Sequence, residues 1–273
     1  MENREFTYKN NSIFYRVGGA GKPVVLLHGF GEDGNIWDRQ IDGLKKDHQL
    51  FIPDLPGSGR SQMIEDMSIE GMAECMSEFI QHEILKNFEQ ANVILLGHSM
   101  GGYITLAIAE KYPALLHSFG LIHSTAFPDS EEKKTGRRKS IEFIREHGAY
   151  EFLKTAIPGL FWGESRGERQ VGSGERGLEE LLEKAKLFSA EALVAYYEAM
   201  IARPDRTNVL KNFDGPILFV IGEHDKAVPY ADSLNQCHFP TRSQVNIMQE
   251  SGHMSMLEET EKHNLALSTF LRS

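Results

Sequence analysis

The chain has 273 residues, 41% of them hydrophobic and 25% charged, a balance that fits one large globular unit with or without an insertion. Its formal net charge of -10 repels phosphate backbones and anionic lipid, so neither nucleic acid nor a membrane surface is an expected partner. Cys75 and Cys237 have no metal-site or disulfide spacing, the N-terminal residues lack a signal-peptide apolar run, and no apolar stretch reaches membrane-spanning length, so a cytoplasmic protein without metal or cofactor is expected.

In chain order, short apolar runs alternate with longer amphipathic ones, the pattern of strands and crossover helices in a mostly parallel sheet. Phe6 to Tyr8 and Ile13 to Val17 form an expected hairpin. Val24 to Leu27 is apolar throughout, as suits a central strand buried on both faces. Leu50 to Ile52, Val93 to Leu96, Phe119 to Ile122, Ile217 to Ile221 and Val245 to Met248 have the same character. Ser68 is placed to cap a helix whose apolar stripe runs from Ile69 to Ile84. A second helix is expected over Gly102 to Lys111, ahead of Pro113.

After Phe127 the strand-like runs stop. From Pro128 to Arg206 the text is charged and helical. The basic run Lys133, Lys134, Arg137, Arg138 and Lys139 follows Asp129, Glu131 and Glu132, and is expected to be a solvated helix face. Gly163 to Gly177 is rich in Gly, Glu and Arg and is expected to be a mobile loop. Ser189 can cap a helix that Pro204 stops. Strand text resumes at Pro216, which divides the chain into a core of residues 1–127 and 214–273 with a helical insertion at 128–213.

Three separated segments carry the chemistry. Gly97-His98-Ser99-Met100-Gly101 fits the strand-turn-helix elbow that exposes a serine hydroxyl. A serine is a weak nucleophile at neutral pH and needs a base beside it, with an orienting group behind that base. His253, in the loop after the last strand run, is the expected base. Asp225, after Ile217 to Ile221, is the expected acid, with Glu223 as its rival. The loop His123-Ser124-Thr125 offers no carboxylate. Two backbone N–H groups are needed to hold an oxyanion. They are expected at Met100, after the nucleophile, and at Phe30, in the turn His28-Gly29-Phe30-Gly31.

That turn also fits a dinucleotide fingerprint through Gly29, Gly31 and Gly34, with Asp54 some 20 residues on. Glu32 and Asp33 argue against it, because they put two carboxylates where a pyrophosphate needs positive potential. The loop Asp54 to Ser61 is expected to be structural. No zinc-ligand spacing exists.

Taken together, the oxyanion turn, the Asp54 to Ser61 loop, the Gly97 to Gly102 elbow, Gly222 to Asp225 with Val228-Pro229, and Ser251-Gly252-His253 resemble the α/β-hydrolase fold family. The resemblance implies a three-layer fold with a mostly parallel eight-stranded sheet and an inserted helical cap. It implies a serine hydrolase, similar to small carboxylesterases and cofactor-free haloperoxidases, that cleaves an ester of a small, mainly apolar molecule. Phe30, Met100, Val228, Phe161 and Trp162 are the expected pocket residues. A carbon-carbon bond hydrolase, a perhydrolase and a receptor that does not turn over are the alternatives. The first needs a cation for a substrate carboxylate, and Arg203 and Arg206, though candidates, are expected to face solvent.

Overall fold

The computed structural model describes residues 1–88, 92–162 and 173–272. The chain opens with a hairpin, β1 (Glu2–Tyr8) and β2 (Asn11–Gly18), then enters β3 (Lys22–Leu27), α1 (Asp38–Leu44), β4 (His48–Pro53), α2 (Ile69–Phe79), β5 (Val93–His98), α3 (Met100–Lys111) and β6 (Leu116–Ile122). Five helices come next without a strand among the described residues: α4 (Glu131–His147), α5 (Ala149–Ala156), α6 (Ser173–Ala185), α7 (Ala190–Ala202) and α8 (Thr207–Asn212). The core resumes with β7 (Ile217–Gly222), α9 (Tyr230–Gln236), β8 (Ser243–Met248), α10 (Ser255–Glu258) and α11 (Thr260–Leu271).

The eight strands form one sheet in the order β1-β2-β4-β3-β5-β6-β7-β8. Only the β1/β2 and β2/β4 pairs are antiparallel; every other pair is parallel. Helices on both faces make three layers. The apolar runs that define β3 and β5 are buried along their length, as a doubly covered strand requires. Each fully buried Leu, Val or Ile there contributes about 1.5–3 kcal/mol of transfer free energy.

Local signals set the helix starts. Ser68 Oγ accepts from Gly71 N at 3.0 Å, and Ser189 Oγ from Ala192 N at 3.0 Å, which satisfies donors that have no intrahelical acceptor. The helix after Ser68 is shorter than its apolar stripe: beyond Phe79 the backbone widens into a π turn over Ile80–Ile84.

Two expectations are corrected. Val245 to Met248 is not a doubly buried strand. β8 is an edge strand paired only with β7, and Val245 is 40% exposed. Of the expected loop at 163–177, residues 163–172 lie outside the described residues, while Ser173 to Gly177 form the first turns of α6. Glycine there did not prevent helix, because the apolar positions further along give α6 a face to bury.

The parallel ladders bring the carboxyl ends of β3, β5, β6, β7 and β8 to one edge, where ligand sites of open α/β sheets collect. Gly222 holds two of these ends together. A Cβ at Gly222 would overlap the carbonyl oxygen of Gly252 and lie 2.9 Å from that of Ser251. Gly222→Ala is therefore expected to cost about 1–3 kcal/mol in urea denaturation. Gly43→Ala in α1, where a Cβ meets nothing within 4 Å, should be neutral or stabilising. Equal stability of the two variants would contradict this account.

Candidate active site

Ser99 sits between β5 and α3 at φ 50°, ψ −114°, a conformation that costs a non-glycine residue about 1–3 kcal/mol. The surroundings enforce it. Ser99 N donates to Ile122 O at 2.9 Å, and Ser124 Oγ donates to Ser99 O at 2.8 Å. Gly101 lets the elbow pass close to the oxyanion turn, since a Cβ there would lie 2.6 Å from His28 O.

His253 Nδ1 lies 2.7 Å from Asp225 Oδ2, and both side chains are buried. Glu223 is exposed on the same loop, so of the two candidate acids the structure places Asp225 behind the ring. Asp225 Oδ1 accepts from the N–H groups of Ala227 (2.8 Å) and Val228 (2.9 Å), which fixes its rotamer. Burial alone would raise the Asp225 carboxyl, yet His253 and His123 hold it far below the carboxylate range. Ser99 and His253 line one cavity of about 1020 Å³. Among the described residues, no hydrogen bond joins the Ser99 hydroxyl to that ring.

Three groups escaped the sequence reading. His98, inside the elbow, is fully buried. Its Nδ1 is 3.0 Å from Glu32 Oε2 and its Nε2 is 3.0 Å from His253 O. Both partners are acceptors, so both ring nitrogens carry protons. Burial would push His98 down, but the Glu32 carboxylate raises it above its ordinary value. Burial would likewise push Glu32 up, and His98 holds it below. Glu32 also accepts from Gly29 N at 2.8 Å, so one carboxylate ties the oxyanion turn to the elbow.

The second is His123, after β6 at φ 48°. Its Nδ1 is 3.2 Å from Asp225 Oδ2 and its Nε2 is 2.7 Å from Ser255 Oγ. Ser255 Oγ is in turn 2.8 Å from His263 Nδ1. The carboxylate can only accept, so His123 donates through Nδ1. Ser255 then donates to Nε2 and accepts from His263, which leaves His263 Nε2 as a bare lone pair. That nitrogen is the one His263 atom without a partner. Burial lowers the His123 ring to about 4 and lowers His263 as well, so both are neutral near pH 7. Signals for His98 and His123 existed: one lies within the elbow and the other comes directly after a strand that ends at the same edge.

The third is Glu258. It accepts from the N–H groups of Trp162 (2.8 Å), Gly252 (2.9 Å) and Met254 (3.3 Å), and His253 N donates to Leu160 O at 2.7 Å. The insertion is thereby joined to the histidine loop. Burial pushes the Glu258 carboxyl up to about 7.

The N–H groups of Phe30 and Met100 donate to no protein acceptor among the described residues. Phe30 and Val228 line the cavity with Tyr103, Tyr197 and Met200. The Phe30 ring stacks on Tyr197, with centroids 4.4 Å apart. Other expected pocket side chains are elsewhere. Met100 and Phe161 are buried in the core, and Trp162 stacks on His224 at 4.3 Å. None of these three lines the cavity. Apolar character sent them to packing contacts that the local sequence does not specify.

Arg203 and Arg206 do not face solvent. Arg203 Nη2 is 2.9 Å from Asp129 Oδ1, and Arg206 bonds Glu70 (2.6 Å) and Glu110 (3.0 Å). Each is about 95% covered. Burial is tolerated because each guanidinium meets a carboxylate, so neither is available to a substrate anion. The basic run on α4 is not wholly solvated either: Lys133 and Arg137 reach the cavity wall.

The dinucleotide alternative fails on geometry. Glu32 is committed to His98, and Asp54 to the N–H groups of Gly34 (2.8 Å) and Arg60 (2.9 Å). The turn leads into a short 3-10 segment at Gly34–Trp37, not into the N-terminus of a long helix. Among the described residues, the one cluster of three metal-ligand side chains is His123, Asp225 and His253, with ligand atoms within 4.8 Å. Those atoms are engaged with one another and with Ser255. No described helix is long and apolar enough to cross a membrane.

The family model for the alpha/beta hydrolase fold matches residues 22–142, and the eight-stranded, mostly parallel sheet with its flanking helices is that three-layer fold. The chain is similar to a lipase and to an esterase of known structure. It is 27% identical over 267 residues to a dihydrolipoyllysine-residue acetyltransferase component of an acetoin cleaving system from Pseudomonas putida, covering 95% of this chain. The chain spans 66% of that relative's length. It is 28% identical over 257 residues to lipase 1 of Psychrobacter immobilis (89% of this chain, 74% of the lipase). A thermophilic esterase from Thermogutta terrifontis, solved with malate bound, superposes with a TM-score of 0.89 at 27% identity, covering 100% of this chain and 98% of the esterase.

The buried histidines give a pH dependence. Unfolding returns His123 from about 4 to 6.5, so the unfolded state binds more protons between those values. Stability from this group is complete above pH 6.5 and is lost as pH falls to about 4, on the order of 3 kcal/mol. Glu258, raised from 4.5 to about 7, acts in the opposite sense, its contribution lost as pH rises through that window. His123→Gln keeps a donor for Asp225 but cannot titrate. Its melting temperature should fall less than that of the wild type between pH 6.5 and 4. Parallel curves would count against a buried neutral His123.

Proposed function

We propose that the protein cleaves carboxylic esters through Ser99, His253 and Asp225. The reading is carried by one observation: the buried Asp225–His253 hydrogen bond ends at a cavity that the strained Ser99 also lines. In this reading His253 Nε2 takes the Ser99 proton as Oγ attacks the carbonyl carbon. Asp225 holds the ring's tautomer and stabilises the imidazolium. The Phe30 and Met100 amides hold the oxyanion, where preorganised donors are worth most. His253 then protonates the leaving alcohol. A water activated by the same ring later releases the acid.

The Ser99–His253 bond would close when substrate excludes water, since such hydrogen bonds often tighten only in the complex. Residues 128–213 would act as a cap, because the cavity walls come both from the sheet edge and from α4 and α7. The aromatic pair Phe30 and Tyr197 supports an apolar acyl or alcohol chain. Esterase and lipase relatives support this chemistry over the alternatives.

Ser99→Ala should retain the wild-type melting temperature and lower kcat for a p-nitrophenyl ester by on the order of 10⁴-fold or more. Asp225→Asn should lose about 10³- to 10⁴-fold through the wrong tautomer. Undiminished ester turnover by Ser99→Ala would sink this mechanism.

A further inference from the structure

The protein carries a net charge of -10, yet the inner wall of its cavity is positive. The carboxylate of Asp129, with no exposed surface, faces three cations. Arg203 Nη2 is 2.9 Å from Oδ1, Arg137 Nε is 2.6 Å from Oδ2, and Lys133 Nζ is 3.7 Å from Oδ1. One anion cannot balance three cations. Of the acids on the wall, Glu32 is spent on His98, and Glu131, on the rim, pairs with Lys134. Glu132 shares the cavity lining with two more cations, Lys139 and Lys226.

Arg137 is the informative member. Only its Nε bonds protein; Nη1 and Nη2 have no protein acceptor among the described residues, although the side chain is just 14% exposed. Its Cζ lies 5.3 Å from the centroid of Tyr197, which stacks on Phe30 at 4.4 Å. An aromatic wall therefore leads from the oxyanion turn to the guanidinium. A largely covered cation with two open donor groups is costly unless an anion fills them. A planar fork suits a carboxylate.

Resting on the esterase reading, we infer that the preferred substrate is an ester whose non-reacting end carries a carboxylate. Arg137 grips that carboxylate, Lys133 backs it, and Phe30 and Tyr197 line the short alkyl spacer. Arg203 and Asp129 hold Arg137 in place.

The test compares mono-p-nitrophenyl adipate with p-nitrophenyl hexanoate, which match in acyl length. The wild type should favour the adipate in kcat/KM by about 10- to 100-fold, chiefly through KM, and the preference should shrink in high salt. Arg137→Gln should abolish the preference and Arg137→Lys restore part of it. Arg138→Gln, on the exposed side of α4, should leave it intact. If Arg137→Gln melts early, Lys133→Gln should still weaken the preference several-fold. Equal wild-type use of both esters, or an equal loss on both in Arg137→Gln, would overturn the inference while leaving ester hydrolysis standing. Turnover of neither ester by the wild type would fell the hydrolytic reading and this inference with it.

Discussion

The Glu32–His98 ion pair is the constraint on which the site depends. Both side chains are almost wholly buried, and an isolated charge there would be driven to neutralise. The pair survives because each partner makes two hydrogen bonds: Glu32 Oε2 with the Gly29 N–H and the His98 ring, His98 with Glu32 and the His253 carbonyl. The loops after β3, β5 and β8 are thus fastened to one another. Those loops carry Phe30, Ser99 and His253. Burying two charges stabilises little by itself; here it fixes the relative positions of three segments that are remote in sequence.

A second buried carboxylate does the same for β6, β7 and β8. Asp225 receives N–H groups from His253, from His123 and from its own loop. The neutral chain from His123 through Ser255 to His263 adds a donor to Asp225 without adding a charge. Ser99 and His123 are both held at positive φ. The strain sits beside the chemistry, and the rigid ends of the parallel strands sustain it.

Much of this was legible in the residues. Short apolar runs gave the strands, Ser68 and Ser189 gave helix starts, and the elbow with Asp225 and His253 gave the candidate site. The hidden part depended on partners far along the chain. Arg203 and Arg206 look like solvent residues until Asp129, Glu70 and Glu110 are placed beside them. Phe161 and Trp162 look like pocket residues until packing against the core and His224 is seen. The edge position of β8 comes from strand order, which local pattern does not encode. His123 follows a strand that ends at the same edge, but its partners Asp225 and Ser255 are set only once β6 and β7 are neighbours.

The most direct measurement of the hydrolytic account is a crystal structure of the protein after reaction with a phosphonofluoridate. The expected result is a covalent bond from Ser99 Oγ to phosphorus. The phosphonyl oxygen should rest between the amides of Phe30 and Met100, with His253 within hydrogen-bond reach of Oγ. A label on another residue, or a phosphonyl oxygen turned away from both amides, would contradict it.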